Sequence, residues 1–101
     1  MRRIEQKKLL TLIVPEELQR MTIETLSRRG IGGYTLVPAT GAGAAGLRSG
    51  MLVNDANVVI YIILSEARLD AVLGDIEEMV ERGYRIKALF QDISILPRKK
   101  E

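Results

Sequence analysis

The seven residues from Val58 to Leu64, VVIYIIL, are apolar without a break. A strand with one wet face alternates apolar with polar, because successive side chains point to opposite sides of the sheet. This run does not alternate, so both of its faces need a cover. It is far shorter than the roughly 20 residues of a membrane-spanning helix. The run reads as a central strand with helices on one face of its sheet. Another subunit is the cover expected on the second face, which predicts an oligomer.

The rest of the chain falls into place around that strand. Lys8 to Val14 (KLLTLIV) is a second, nearly continuous apolar strand. Pro15 with Glu16 and Glu17 predicts the opening of a helix, since proline suits a first turn and carboxylates suit its positive end. Leu18, Met21, Thr22, Thr25 and Leu26 share one face at helical spacing, and Arg28, Arg29 and Gly30 close the helix. Gly32 and Gly33 turn the chain into a strand over Tyr34 to Ala39, where Pro38 indicates a sheet edge or a bulge. Asn57 to Leu64 is the third strand. Ser65 and Glu66 begin a second helix with an apolar stripe of Leu69, Val72, Leu73, Ile76, Met79 and Val80, ended by Arg82 and Gly83. Arg85 to Ile95 is the fourth strand.

The order β-α-β-β-α-β is that of the ferredoxin-like split βαβ fold, in the α+β class. It implies a four-stranded antiparallel sheet with two helices on one face and the first and third strands in the centre. A single domain over 1–101 is expected, with a long loop at about 40–56 and charged tails at 1–7 and 97–101. Met21 and Met79 are expected in the core, and Tyr61 is expected there with a tethered hydroxyl. Glu77, Glu78 and Glu81 are expected on a solvated helix face, and Asp55 is expected to hold the base of the loop.

Composition removes several classes of function. There is no cysteine and no histidine. Disulfide scaffolds and Ser-His or Cys-His nucleophile systems are therefore excluded. Zinc, copper and iron sites lose their usual ligands, and no acidic cluster has the spacing of a metal site. The reading is of a protein that is not an enzyme and has no cofactor. The net charge of +2 is carried partly by Arg2, Arg3, Lys7 and Lys8 and by Arg98, Lys99 and Lys100, read as solvated ends. No segment has the length for membrane insertion or the form of a signal-peptide core, so a cytoplasmic location is expected.

The segment that carries chemistry is the loop. Gly41, Gly43 and Gly46 permit close approach of a ligand to the backbone, and successive amides in such a loop can form an anion nest. Arg48 can clamp a phosphate through two parallel hydrogen bonds. The spacing from Gly41 to Gly46 matches the dinucleotide fingerprint, but that motif requires a helix at its third glycine. Here an irregular polar stretch and a strand follow. From spacing alone, a plain hairpin connection and a phosphate-binding loop both stay open.

The whole-chain pattern goes further. Gly33-Tyr34-Thr35 enters the second strand, the glycine-rich loop contains Arg48-Ser49-Gly50, and Asp55-Ala56-Asn57 leads into the apolar third strand. This pattern resembles the PII superfamily, and within it the PII-like proteins tied to bicarbonate transporters and carboxysomes, over roughly residues 8–95. The resemblance implies a homotrimer that binds an adenine nucleotide (ADP, AMP or ATP) in clefts between subunits. Bicarbonate is a candidate companion ligand. It also implies a long loop, the T-loop, that closes over the phosphates and reports to a protein target, with a bicarbonate transporter or carboxysome component as candidates. Carried onto this chain, Gly33, Tyr34 and Thr35 border the adenine, and Gly41, Gly43, Gly46 and Arg48 surround the phosphates. Ser49 and Gly50 assist or hold a small anion, and Arg85 and Lys87 come from a neighbouring subunit. The loop has no tyrosine, because Tyr34, Tyr61 and Tyr84 all lie outside it, so regulation by tyrosine uridylylation is not expected. The rival readings are a CutA-like trimer related to divalent metals and an RNA-binding module of the same element order. The latter stacks bases on sheet aromatics, and the first strand here has none.

Overall fold

A computed structural model describes residues 2–41 and 55–98. In chain order the elements are β1 (Glu5–Pro15), α1 (Gln19–Arg28), β2 (Thr35–Gly41), β3 (Asp55–Leu64), α2 (Glu66–Glu81) and β4 (Lys87–Ile95). The strands form one four-stranded sheet in the order β2-β3-β1-β4. Every pairing is antiparallel. β1 and β3 are therefore central and β2 and β4 are edges, as the apolar runs require. Pro38 lies on edge strand β2, where its missing N–H costs no ladder bond with a fifth strand.

Pro15 departs from its expected role. It ends β1, and Glu16–Leu18 form a single 3-10 turn before α1 begins at Gln19. The ladder explains this, because Pro15 pairs with Asn57 across β1 and β3. Other borders shift as well. β1 starts at Glu5, so the charged tail is shorter than expected and Glu5–Lys7 pair with Ile93–Ile95. Thr40–Gly41 and Asp55–Ala56 extend the β2–β3 ladder into the segment read as loop. Tyr34 and Arg85 lie just outside their strands. No helix among the described residues is long and apolar enough to cross a membrane.

Residues directly opposite each other on neighbouring strands share a face. The registers therefore sort the sheet into two sides. Leu10, Leu12 and Val14 stand opposite Ile62, Ile60 and Val58. All six are buried, with Leu64, beneath Leu26 of α1 and Leu69, Val72, Ile76 and Met79 of α2. Met21, Leu18 and Leu73 pack against that cluster. Thr22 and Thr25 are buried among apolar groups, and their hydroxyls donate to the Leu18 and Met21 carbonyls at 2.8 and 2.9 Å. That satisfies polar atoms that would otherwise carry a desolvation cost.

The opposite side is also apolar but uncovered in one chain. Thr35, Tyr61, Thr11 and Leu89 form one row across the sheet, and Val37, Val59, Ile13 and Lys87 form the next. Val37, Tyr61, Ile63 and Leu89 are all exposed. Tyr61 thus departs from the expected core position: its parity places it opposite the helices. Val80 is exposed too, at the margin of the α2 stripe. Substituting the fully buried Ile60 with Ala should lower the unfolding free energy by about 2–5 kcal/mol. Urea unfolding of the variant checks this, and a change under about 1 kcal/mol would contradict the core assignment.

Candidate functional site

Both helices end in the same kind of turn, and one of these turns shapes the site. After α1, the Gly30 amide donates to the Ser27 carbonyl at 2.9 Å and the Ile31 amide to the Leu26 carbonyl at 3.2 Å. Gly30 has φ +78°. This is a Schellman turn, which needs a residue free of a Cβ penalty at that position. Ile31 then buries its side chain in the core, 5% exposed. After α2 the pattern repeats, with the Gly83 amide on the Val80 carbonyl and the Tyr84 amide on the Met79 carbonyl.

The α1–β2 connection meets the start of α2. Ser65 caps α2 by accepting a hydrogen bond from the Arg68 amide at 3.3 Å. The Arg68 guanidinium reaches across and donates from Nη1 to the Gly30 carbonyl at 2.9 Å. Just beside it, Arg29 forms a two-pronged pair with Asp75, at 2.7 and 2.8 Å. The Arg29 hydrogen bond holds the Asp75 carboxyl below its ordinary value of 3.8. The same bond raises the Arg29 guanidinium. Between the central strand β1 and the edge strand β4, a hydrogen bond from Lys8 to Asp92 raises the Lys8 ammonium.

Between the turn and the start of α2 lies an open pocket of about 410 Å³. Its walls are the turn Gly30–Gly33, the end of β3 with Ser65 (Ile63, Leu64, Ser65), Arg68 of α2 and Lys7 of β1. The lining carries two cations and no carboxylate, and the positive end of the sixteen-residue helix α2 lies beside it, partly offset by Glu66 in its first turn. An anionic ligand suits this field.

Gly33 lies in this pocket, Tyr34 stands exposed beside it, and Thr35 opens β2 opposite Tyr61. Gly41 ends β2 opposite Asp55. The backbone of Asp55 thus sits at the loop base. Thr35 and Gly41 are separated by the length of β2, about 20 Å at the rise of a strand. Arg85 is exposed in the α2–β4 connection, and Lys87 is exposed at the start of β4 opposite Ile13. β2 and β4 are opposite edges three strand spacings apart, about 14 Å. One chain therefore does not bring Lys87 to Thr35. Gly43, Gly46, Arg48, Ser49 and Gly50 lie outside the described residues, as does Met51.

Of the nine residues lining the pocket, sequence reading named only Gly33 as a site residue. Gly30-Ile31-Gly32-Gly33 and Ser65 with Arg68 three residues later carry a local signal. Lys7 carries none, because only the β1–β4 register removes it from a charged tail.

The family model described as nitrogen regulatory protein P-II matches residues 7–95. A putative PII-like signaling protein from Thermus thermophilus is similar in structure, with a TM-score of 0.74 at 27% identity over 92% of each chain. CPII from Thiomonas intermedia, solved bound to ADP and bicarbonate, has a TM-score of 0.82 at 23% identity, covering 96% of this chain and 95% of that one. The same protein bound to ADP, AMP and bicarbonate gives 0.81 at 21% identity, covering 97% and 100%. No curated protein matches the chain.

The Asp75–Arg29 pair generates a pH prediction. A carboxyl whose folded value is lowered stabilises the fold at pH above its unfolded value, and that contribution is lost as pH falls through the folded value. The stability difference between the protein and Asp75→Asn should therefore be constant above about pH 5 and shrink as pH drops below about 4. Urea unfolding across that range checks it, and a difference that does not vary with pH would show that the pair adds nothing to the acid response.

Proposed function

This chain belongs to the nitrogen regulatory protein P-II family, and from that premise we propose that it is a signalling protein that binds an adenine nucleotide. ADP, AMP and ATP are the candidate ligands, with bicarbonate as a companion anion. The supporting observation is the pocket at the junction of the α1–β2 turn, the end of β3 and the start of α2. It contains Gly33, expected to border the adenine, and it sets Lys7 and Arg68 beside Ile63, the one apolar lining side chain that is exposed, since Ile31 and Leu64 are buried in the core. Two cations beside an exposed apolar side chain suit an anion carried on an apolar group. The binding of ADP and bicarbonate by the similarly folded CPII agrees with this ligand class.

In this reading Tyr34 and Thr35 complete the adenine end. Gly41, Gly43, Gly46 and Arg48 hold the phosphates, and Ser49 and Gly50 hold the phosphate or a small anion. Arg85 and Lys87, on the opposite edge from β2, act on a neighbouring subunit's ligand. The protein forms a homotrimer through the uncovered sheet face, where Leu9, Ile13, Val37, Val59, Ile63 and Leu89 would be buried. That face has a single aromatic, Tyr61, among the described strands, since Phe90 pairs with Leu10 on the helix side. A base-stacking RNA platform needs more. The loop between β2 and β3 reports the ligand state to a protein target in inorganic-carbon metabolism, a bicarbonate transporter or a carboxysome component. No catalytic step is assigned, and the site works in the cytoplasm.

Titration calorimetry with ATP, ADP and AMP, with and without bicarbonate, tests the binding. Micromolar affinity, about −8 kcal/mol, is expected for at least one of them. No heat with any nucleotide would remove the reading. Arg48→Ala should weaken ADP by roughly tenfold or more, the loss of one charge-assisted contact. Light scattering should give the mass of three chains. Ile63→Glu, which places a charge on the uncovered face, should shift that mass toward one chain. A monomeric unmodified protein would refute the trimer.

A further inference from the structure

We propose that Arg68 is a positioning residue for the nucleotide pocket: it locks the Gly30–Gly33 turn onto the first turn of α2, and so fixes the shape in which that turn's backbone meets a ligand. The inference rests on the nucleotide reading above and names a further determinant of the same site. Arg68 touches the turn in two ways. Its Nη1 donates to the Gly30 carbonyl at 2.9 Å. A Cβ built on Gly30 would meet three guanidinium atoms at 3.6–3.7 Å, so the planar group occupies the side of that glycine where a side chain would stand. Lysine can make the hydrogen bond but cannot supply the plane.

The turn needs such a lock. Up to Ile31 it is pinned from the α1 side by the Gly30 and Ile31 amide bonds and by burial of the Ile31 side chain. Beyond Ile31 come Gly32 and Gly33, and among the described residues nothing stands within 4 Å of a Cβ built at either. Two successive glycines have the most backbone freedom to lose on binding. The Arg68 contact is the hold from α2 immediately before them. Packing of the two helices does not depend on it, because Arg29–Asp75 joins them two turns further along α2 and Leu26, Leu69, Val72 and Ile76 are buried between them and the sheet.

The experiment compares the unmodified protein with Arg68→Ala and Arg68→Lys by calorimetry against ADP and against adenosine, with thermal unfolding of each. Positioning predicts that Arg68→Ala weakens adenosine by about tenfold, the loss of one charge-assisted hydrogen bond, and ADP by at least as much, the excess being the lost cation. Arg68→Lys recovers part of the loss, and Tm stays within a few degrees of the unmodified protein. Loss of ADP affinity with adenosine unchanged would mean that Arg68 holds phosphate directly, and would overturn the proposal. Unchanged binding of both ligands would overturn it as well. So would an Arg68→Ala protein that is unfolded while Arg68→Lys binds like the unmodified chain, since the residue would then be structural. An unmodified protein that binds neither ligand removes the nucleotide reading itself, an outcome distinct from a variant that behaves like its parent.

Discussion

The antiparallel ladder between β1 and β3, from Lys8 with Leu64 to Pro15 with Asn57, sets everything else. It decides which side chains face the helices and which do not. A slip of one residue would exchange Leu10, Leu12 and Val14 for Leu9, Thr11 and Ile13 on the helix side. Those two sets differ in polarity only by Thr11, so the central pattern alone specifies register less firmly than a strict alternation would. The edges supply what is missing. The Lys8–Asp92 pair joins β1 to β4, Thr11 costs more to bury than Leu10 or Leu12, and the α1 and α2 stripes fit the Leu10 side. A register chosen this way leaves Leu9, Ile13, Val59 and Ile63 facing outward together. An apolar face of that extent marks an interaction surface, the one the proposed trimer would cover. The same choice therefore builds the core of one chain and prepares the surface for others.

That surface bears on how a site can be completed. The pocket lies at one end of the β2–β3 hairpin, where Gly33 meets Ile63, and the hairpin loop leaves from the other end, at Gly41 and Asp55. Lys87 lies on the far edge of the sheet. In a single chain these three groups surround no common volume. Association through the open face is the arrangement that can set one chain's β4 edge beside another's β2 edge. The trimer and the nucleotide site are for this reason one proposal rather than two.

Much of the fold was legible because hydrophobic period reports burial. Ser65 read as a cap and is one, Gly30 and Gly83 read as helix stops and adopt positive φ, and Pro38 read as an edge marker and lies on an edge strand. What misled was the assumption that composition reveals facing. Tyr61 sits in an unbroken apolar run, and only the count from Ile60 and Ile62 places it on the open side. Pro15 suits a helix start as well as a strand end, and the ladder with Asn57 decides between them. Strand ends were illegible because Glu5, Gln6 and Lys7 are polar, and their order comes from pairing with β4. The pocket was legible only at Gly33, since its walls come from three separate stretches around residues 7, 30–33 and 63–68. A sequence shows residues near each other along the chain. It does not show Arg68 reaching 38 positions back to the Gly30 carbonyl.

Chain geometry also bounds how the loop can serve the pocket. Arg48 stands seven residues from Gly41 and seven from Asp55, at the midpoint between the two paired strand ends. Seven extended residues span at most about 25 Å. Gly33 and Thr35 lie about 20 Å or more back along β2. In the proposed reading the arginine side chain and the length of the nucleotide from base to phosphates both shorten that gap, so Arg48 is within reach of a ligand at its own chain's Gly33 as well as of a neighbouring subunit's. In the proposed function, a ligand that engages Arg48 favours those conformers of the segment that bring the guanidinium to the phosphates. Its differential affinity for those conformers is the free energy available to change what the loop presents to a partner.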